Sequence, residues 1–236
     1  MATHPHADHI GGMSDVFEQL KIKSVYMPNA VTDTKTFDRL LNAIENEHCD
    51  VTEAKAGMSI FSDGNLKADI LAPVSESYDD LNNYSVVIKV TYGEMDYLFT
   101  GDSEAEVEKQ LLAKDISAEV LKAGHHGSST SSTMEFVRRV NPDYAIISCG
   151  KDNDYGHPHI ETVATFDELG VQMLRTDELG SIIISSDGEN LEVEGFEETN
   201  IKNDINKNNT EKYVSYATVI LVILITLMKK KKRKRR

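Results

Sequence analysis

Four side chains that can ligate a metal ion fall within six residues of each other near the start of this chain: His4, His6, Asp8 and His9, followed by the pair Gly11-Gly12. Such groups are costly to bury singly and become useful when several converge on one cation. The run therefore dictates a fold that can gather them. His4 and His6 alternate, so an extended backbone points both imidazoles to one side. Asp8 and His9 come where the chain turns toward the glycines. The spacing predicts one cation held by His4 and His6, and a second held by Asp8 and His9. Imidazole with carboxylate suits zinc, with manganese or iron as alternatives. A solvated His-rich stretch is the plain alternative, and the ordered sequence His-x-His-x-Asp-His-x-Gly-Gly argues against it.

A two-cation centre needs further ligands, and three later segments offer them. Leu98–Asp102 (LFTGD) is an apolar strand ending in Gly-Asp, which puts Asp102 at a strand tip where a carboxylate can bridge two ions. Val120–Ser128 (VLKAGHHGS) repeats the pattern of strand followed by a Gly-bounded loop. Its adjacent histidines point in different directions. We expect His126 to bind metal and His125 to act as an acid or a phosphate contact. Tyr155–His159 (YGHPH) is a third His-bearing loop, set directly before a helix, and places His157 at the rim as a substrate contact or a support for a ligand. The expected metal ligands are thus His4, His6, Asp8, His9, Asp102 and His126. Asp8, His125 and His157 are the expected catalytic groups, with Asp8 orienting the water.

The rest of the chain alternates strand-like and helix-like segments. Helices are expected over Ser14–Leu20, Thr36–Glu47, Ser103–Ala113 (capped by Ser103), Ser132–Arg139 and His159–Leu169. Strands are expected over Lys23–Met27, Ser59–Phe61, Ala68–Leu71, Ser85–Tyr92, Tyr97–Thr100, Val120–Ala123, Tyr144–Ser148, Met173–Arg175, Ser181–Ser185 and Leu191–Val193. This order fits an α/β (α+β) class, in which two packed sheets carry helices outside, an αββα sandwich.

The His-x-His-x-Asp-His run resembles the signature of the metallo-β-lactamase superfamily. The four motifs in order, with Asn82-Asn83-Tyr84-Ser85, resemble the extracellular hydrolase domain of ComEC-type competence proteins and their stand-alone relatives. The resemblance covers about residues 3–194. It implies the αββα sandwich, two divalent ions and nuclease-like hydrolysis of a phosphodiester, with nucleic acid or another phosphodiester as substrate. It also implies first-sheet strands ahead of the opening motif, so residues 1–195 are expected to be a domain incomplete at its N-terminus. Many members place another histidine between the opening motif and the bridging aspartate. His48 is the one histidine in that interval and sits on a helix, so site 1 is expected to hold only His4, His6 and Asp102. Lactonase, thioesterase or choline-phosphate esterase activity is the enzyme alternative. An inactive membrane-tethered fragment or metal-binding module is the non-enzyme one.

Charge is unevenly spread. The net charge is −14, yet Lys229–Arg236 are all basic, so the remainder holds only 17 of the 25 basic residues against all 39 acidic ones. Such a body repels polyanions, which argues against tight non-specific nucleic-acid binding but not against catalysis on a phosphodiester. Tyr213–Met228 carries no charge and precedes the basic run, so it is expected to be a single transmembrane anchor. The positive-inside rule then puts residues 229–236 in the cytoplasm and the catalytic domain outside it. Residues 196–212 are polar and read as a linker. Cys49 and Cys149 fit either a disulfide or two free thiols.

Overall fold

The computed structural model describes residues 1–196. The predicted linker, transmembrane segment and basic tail lie outside the described residues. Among the described residues no helix is long and apolar enough to cross a membrane.

A seven-stranded sheet organises the molecule. It runs in spatial order through β3 (Ser59–Asp63), β4 (Leu66–Ala72), β5 (Val87–Tyr92), β6 (Met95–Phe99), β7 (Val120–Lys122), β8 (Tyr144–Ile147) and β9 (Gln172–Arg175). The first four strands form an antiparallel meander and β6 to β9 are parallel. Within the meander the β3–β4 and β5–β6 connections are tight turns, while residues 73–86, with a 3-10 turn at Leu81–Tyr84, join β4 to β5. Tyr92 pairs with Met95, leaving Gly93-Glu94 as a two-residue hairpin loop. Gly93 has φ +63°, and any side chain there would run into the carbonyl of Gly188. The parallel half needs crossovers, supplied by α4 (Ala105–Leu111), α5 (Met134–Val140) and α6 (Ile160–Glu168).

The register explains the two faces. Leu98, Leu121 and Ala145 pair across β6, β7 and β8, so they share one face. They bury against Val107 and Leu111 of α4, Phe136, Val137 and Val140 of α5, and Phe166 of α6. The opposite face carries two separate two-stranded sheets. One is the parallel pair β1 (Ser24–Met27) with β2 (Asp50–Glu53), the other the hairpin β10 (Ser181–Ser186) with β11 (Leu191–Phe196). Tyr26 of β1 packs on Ala68, Ile70 and Ile88. Ile182 and Val193 pack on Tyr97, Val120, Ile146 and Leu174.

Outside β1 lies α3 (Lys35–Glu47), which buries Phe37, Leu40 and Ile44 at helical spacing. Thr34 caps it, its hydroxyl accepting from the Phe37 N–H at 3.3 Å. His48 ends it in the left-handed region at φ 55°, an exposed C-terminal cap. The layers thus read helix, sheet, sheet, helix. The thiols are free.

Several expectations need correction. No strand leads into the opening motif: Asp8 and His9 sit on a single helical turn, α1 (Ala7–Ile10), followed by α2 (Met13–Gln19). Ser103 is not the cap of α4. That position belongs to Glu104, with no side-chain cap bond. The strand β2 and the short helix α7 (Thr176–Leu179) were not expected, because Asp50–Glu53 lacks apolar alternation and α7 spans one turn.

Candidate metal centre

The parallel strands deliver their loops to one edge of the sheet, where α/β folds commonly build sites. Asp102 follows β6, His125 and His126 follow β7, and His157 lies in the loop after β8. The N-terminal segment crosses this edge from the other layer. It is held by backbone bonds from Ala2 N–H to the Tyr26 carbonyl, 2.9 Å, and from Val86 N–H to the Thr3 carbonyl, 2.9 Å.

Asp102 is the hub. It is 2% exposed, and its Oδ2 lies 3.1 Å from His9 Nε2, 3.4 Å from His126 Nε2, and 3.9 Å from both His4 Nε2 and His125 Nε2. Asp8 Oδ2 approaches the same group, 3.4 Å from His9 Nε2 and 3.3 Å from His126 Nε2. The ligand atoms of Asp8, His9, Asp102 and His126 all lie within 4.8 Å of one another. His4 Nε2 and His6 Nδ1 stand 3.0 Å apart beside this cluster. The structure therefore brings all six expected metal ligands to one place. His125 flanks Asp102 and His157 lies farther out, its ring centroid 5.7 Å from that of His125 and 6.4 Å from that of His126.

The donor set fits a divalent cation. Nitrogen lone pairs and carboxylate oxygens converge, and buried Asp102 Oδ1 has no hydrogen-bond partner among the described residues. The imidazoles are also oriented from behind. His126 Nδ1 lies 2.8 Å from the Ser148 carbonyl, which can only accept, so the proton sits on Nδ1 and Nε2 faces the cluster. Thr3 Oγ1 lies 3.2 Å from His9 Nδ1, and Ser85 Oγ 3.2 Å from His4 Nδ1. Ser85 Oγ also accepts from the Asp102 N–H at 2.9 Å.

Electrostatics follow from this crowding. Burial opposes charge on His126, but its bonds to Asp102 and Asp8 win and raise it to about 9. His9 is raised too, burial again being outweighed by Asp102 and Asp8. Burial and then neighbouring His9 push His4 down to about 3. Asp102 is held far below the usual carboxylate range: burial would raise it, but His126 and His9 prevail. Asp8 is held low by bonds to His126 and His9. A cation arriving here displaces those protons.

Two residues with no role expected from the sequence complete the site, Glu104 and the motif residue Asn83. Glu104 Oε1 lies 3.3 Å from His125 Nδ1. The Glu104 N–H donates to Asn83 Oδ1 at 3.0 Å. Glu104 follows Asp102 by two residues, and that spacing was its one available signal. His125 and His126 both adopt left-handed backbone, at φ 47° and 55°, the turn that aims two successive imidazoles at Asp102.

Comparison with known proteins agrees with this geometry. The chain is 34% identical over 182 residues to ComE operon protein 3 of Bacillus subtilis, covering 76% of this chain and 23% of that protein. It is 36% identical over 117 residues to competence protein ComA of Neisseria gonorrhoeae, covering 48% and 17%. To recombination protein 2 of Haemophilus influenzae it is 27% identical, covering 81% and 23%. The chain thus spans less than a quarter of the length of these relatives. The family model for the metallo-beta-lactamase superfamily matches residues 1–151, which include every expected metal ligand. With its layered fold and its His/Asp cluster, this chain belongs to the metallo-β-lactamase superfamily.

Proposed function

We propose that the protein is a metal-dependent hydrolase of phosphodiesters. The observation that carries this reading is the convergence of four imidazole Nε2 atoms on the single buried oxygen Asp102 Oδ2. In the proposal His4, His6 and Asp102 hold one divalent ion, and Asp8, His9, Asp102 and His126 hold a second. Zinc suits these donors best. Bound there, such ions supply a water acidic enough to attack at neutral pH and neutralise charge on the attacked phosphate.

The chain's own residues then have defined tasks. Ser148 and Thr3 fix the rings of His126 and His9 so that their Nε2 atoms face the cluster. Asp8, exposed on its outer side, borders the centre where a water enters. Glu104 and Thr130 hold His125 Nδ1, leaving His125 Nε2 to deliver a proton to the leaving oxygen. Burial and the neighbouring His159 keep His157 down at about 4, so at neutral pH it is an uncharged contact rather than an acid. The apolar sequence of residues 213–228 supports membrane anchoring as part of the same proposal.

The test is turnover of bis(p-nitrophenyl) phosphate by the full chain, with zinc or manganese, against a lactone and a thioester under the same loading. Phosphodiester turnover that vanishes on chelation and returns with the metal is the expected result. Metal-dependent turnover of the lactone or thioester alone would replace the reading.

A further inference from the structure

The imidazole of His126 is fixed by a carbonyl, and that carbonyl has an anchor of its own. Strand β8 ends at Ile147, whose ladder partner Arg175 ends β9. Ser148 and Cys149 lie beyond the ladder, so their peptide groups need partners other than strand neighbours. The peptide unit joining them carries the Ser148 C=O on one side and the Cys149 N–H on the other. It is trans and planar, so the two point in opposite directions. The C=O accepts from His126 Nδ1 at 2.8 Å. The N–H donates to Thr176 Oγ1 at 2.9 Å.

Thr176, the first residue of α7, grips the same residue twice. Its hydroxyl donates to the Cys149 carbonyl at 2.8 Å, with the Ile147 carbonyl farther off at 3.5 Å. A hydroxyl suits this place, because it accepts from an N–H and donates to a C=O through one atom. Asp177 adds a third contact, its Oδ1 accepting from the Cys149 thiol at 3.2 Å. Asp177 is braced in turn by Arg175 Nε (3.1 Å) and Nη2 (2.6 Å). The single turn of α7 therefore backs the end of β8.

Resting on the metal-centre reading above, and not on the choice of substrate, we propose that Thr176 is a positioning residue for the metal ligand His126, acting through the Ser148–Cys149 peptide unit. Rotation of that plane would swing the Ser148 carbonyl off Nδ1 and free the ring. Thr176 opposes the rotation by holding the other end of the plane. With Nδ1–H held, the Nε2 lone pair stays directed at the space beside Asp102 and Asp8.

The test titrates zinc into the metal-free full chain against a competing chelator, for the wild type, Thr176→Val and Thr176→Ser, with a melt in chelator for each. Losing a group that orients a metal-bound imidazole costs roughly 10- to 100-fold in affinity. Thr176 acts one bond farther away, so Thr176→Val is expected to lose about 10-fold. Thr176→Ser keeps the hydroxyl and stays close to the wild type. The visible absorption of the cobalt-loaded protein shifts in Thr176→Val and is restored in Thr176→Ser, which a general loss of stability would not produce. Wild-type zinc affinity and an unchanged cobalt spectrum in a folded Thr176→Val overturn the link, as does an equal loss in both variants. If Thr176→Val does not fold, the wild type alone is read. Coupling between two sites is reciprocal, so zinc slows hydrogen exchange at the Cys149 N–H, and exchange there indifferent to zinc overturns the link. A wild type that binds no zinc overturns the metal centre itself.

Discussion

Replacing Asp102 by Asn separates a metal centre from a cluster of mutually bonded histidines. The substitution keeps size and shape and removes the charge from the oxygen that lies 3.1 to 3.9 Å from four Nε2 atoms. Suppose zinc is set at a hundred times the wild-type dissociation constant. Ligand linkage then stabilises the native state by about 2.7 kcal/mol. For a domain of this size that raises Tm by about 5 to 11 °C. Losing a partner behind a metal ligand costs 10- to 100-fold in affinity, and losing a shared carboxylate ligand costs at least about 100-fold. At the same zinc concentration the variant gains only about 0.4 kcal/mol, or 1 to 2 °C. The assay is a melt followed by circular dichroism, with zinc and with chelator, for both proteins. The chelator arm also reports whether Asp102→Asn folds. If the variant folds and still gains the full zinc shift, Asp102 is not a ligand and the centre has been misread.

Two further predictions concern the scaffold. Glu108 is 1% exposed and receives the N–H groups of Ser132 and Thr133 at the start of α5. Burial raises it from 4.5 to about 7. Its ionised form is the costly one in the fold, so its contribution is most favourable below pH 4.5 and declines as pH rises to about 7, by roughly 3 kcal/mol in all. Urea midpoints at pH 4.5 and 7.5 should therefore differ less in Glu108→Gln than in the wild type, and an unchanged difference would refute this. At His125, where φ is 47° and ψ 46°, glycine escapes the left-handed penalty that alanine pays. His125→Gly should be more stable than His125→Ala in chelator by about 1 kcal/mol, the reverse of the usual order in regular structure. An alanine variant equal or superior in urea unfolding would contradict the strain.

Much of this was legible because ligands and strand tips are both local signals. LFTGD and VLKAGHHGS each announce an apolar strand that must end at a polar, Gly-bounded turn, and the structure ends β6 at Phe99 and β7 at Lys122. What escaped was nonlocal. Ser85 contacts His4 and Asp102 only after β5 and β6 pair and the N-terminal segment docks. Glu104 offered no signal beyond lying two residues after Asp102, because its partner His125 is supplied by a loop on another strand. The strand β2 has three exposed residues of four. Its identity comes from pairing with β1, and no alternation marks it. The turn expected at Asp8 and His9 is a helical one, with the His9 and Ile10 N–H groups donating to the His6 carbonyl at 3.0 and 3.1 Å.

The change from antiparallel to parallel pairing at β6 has a kinetic consequence. The meander β3–β6 pairs strands that are neighbours in sequence, whereas His9 and His126 are 117 residues apart in sequence and meet only when both layers are in place. Contacts of such long range form late, because their loop-closure entropy must be met before they contribute. We expect the metal centre to be the last part of the molecule to assemble. In a refolding experiment the arrival of a bound ion would time the docking of the N-terminal layer onto a sheet already formed.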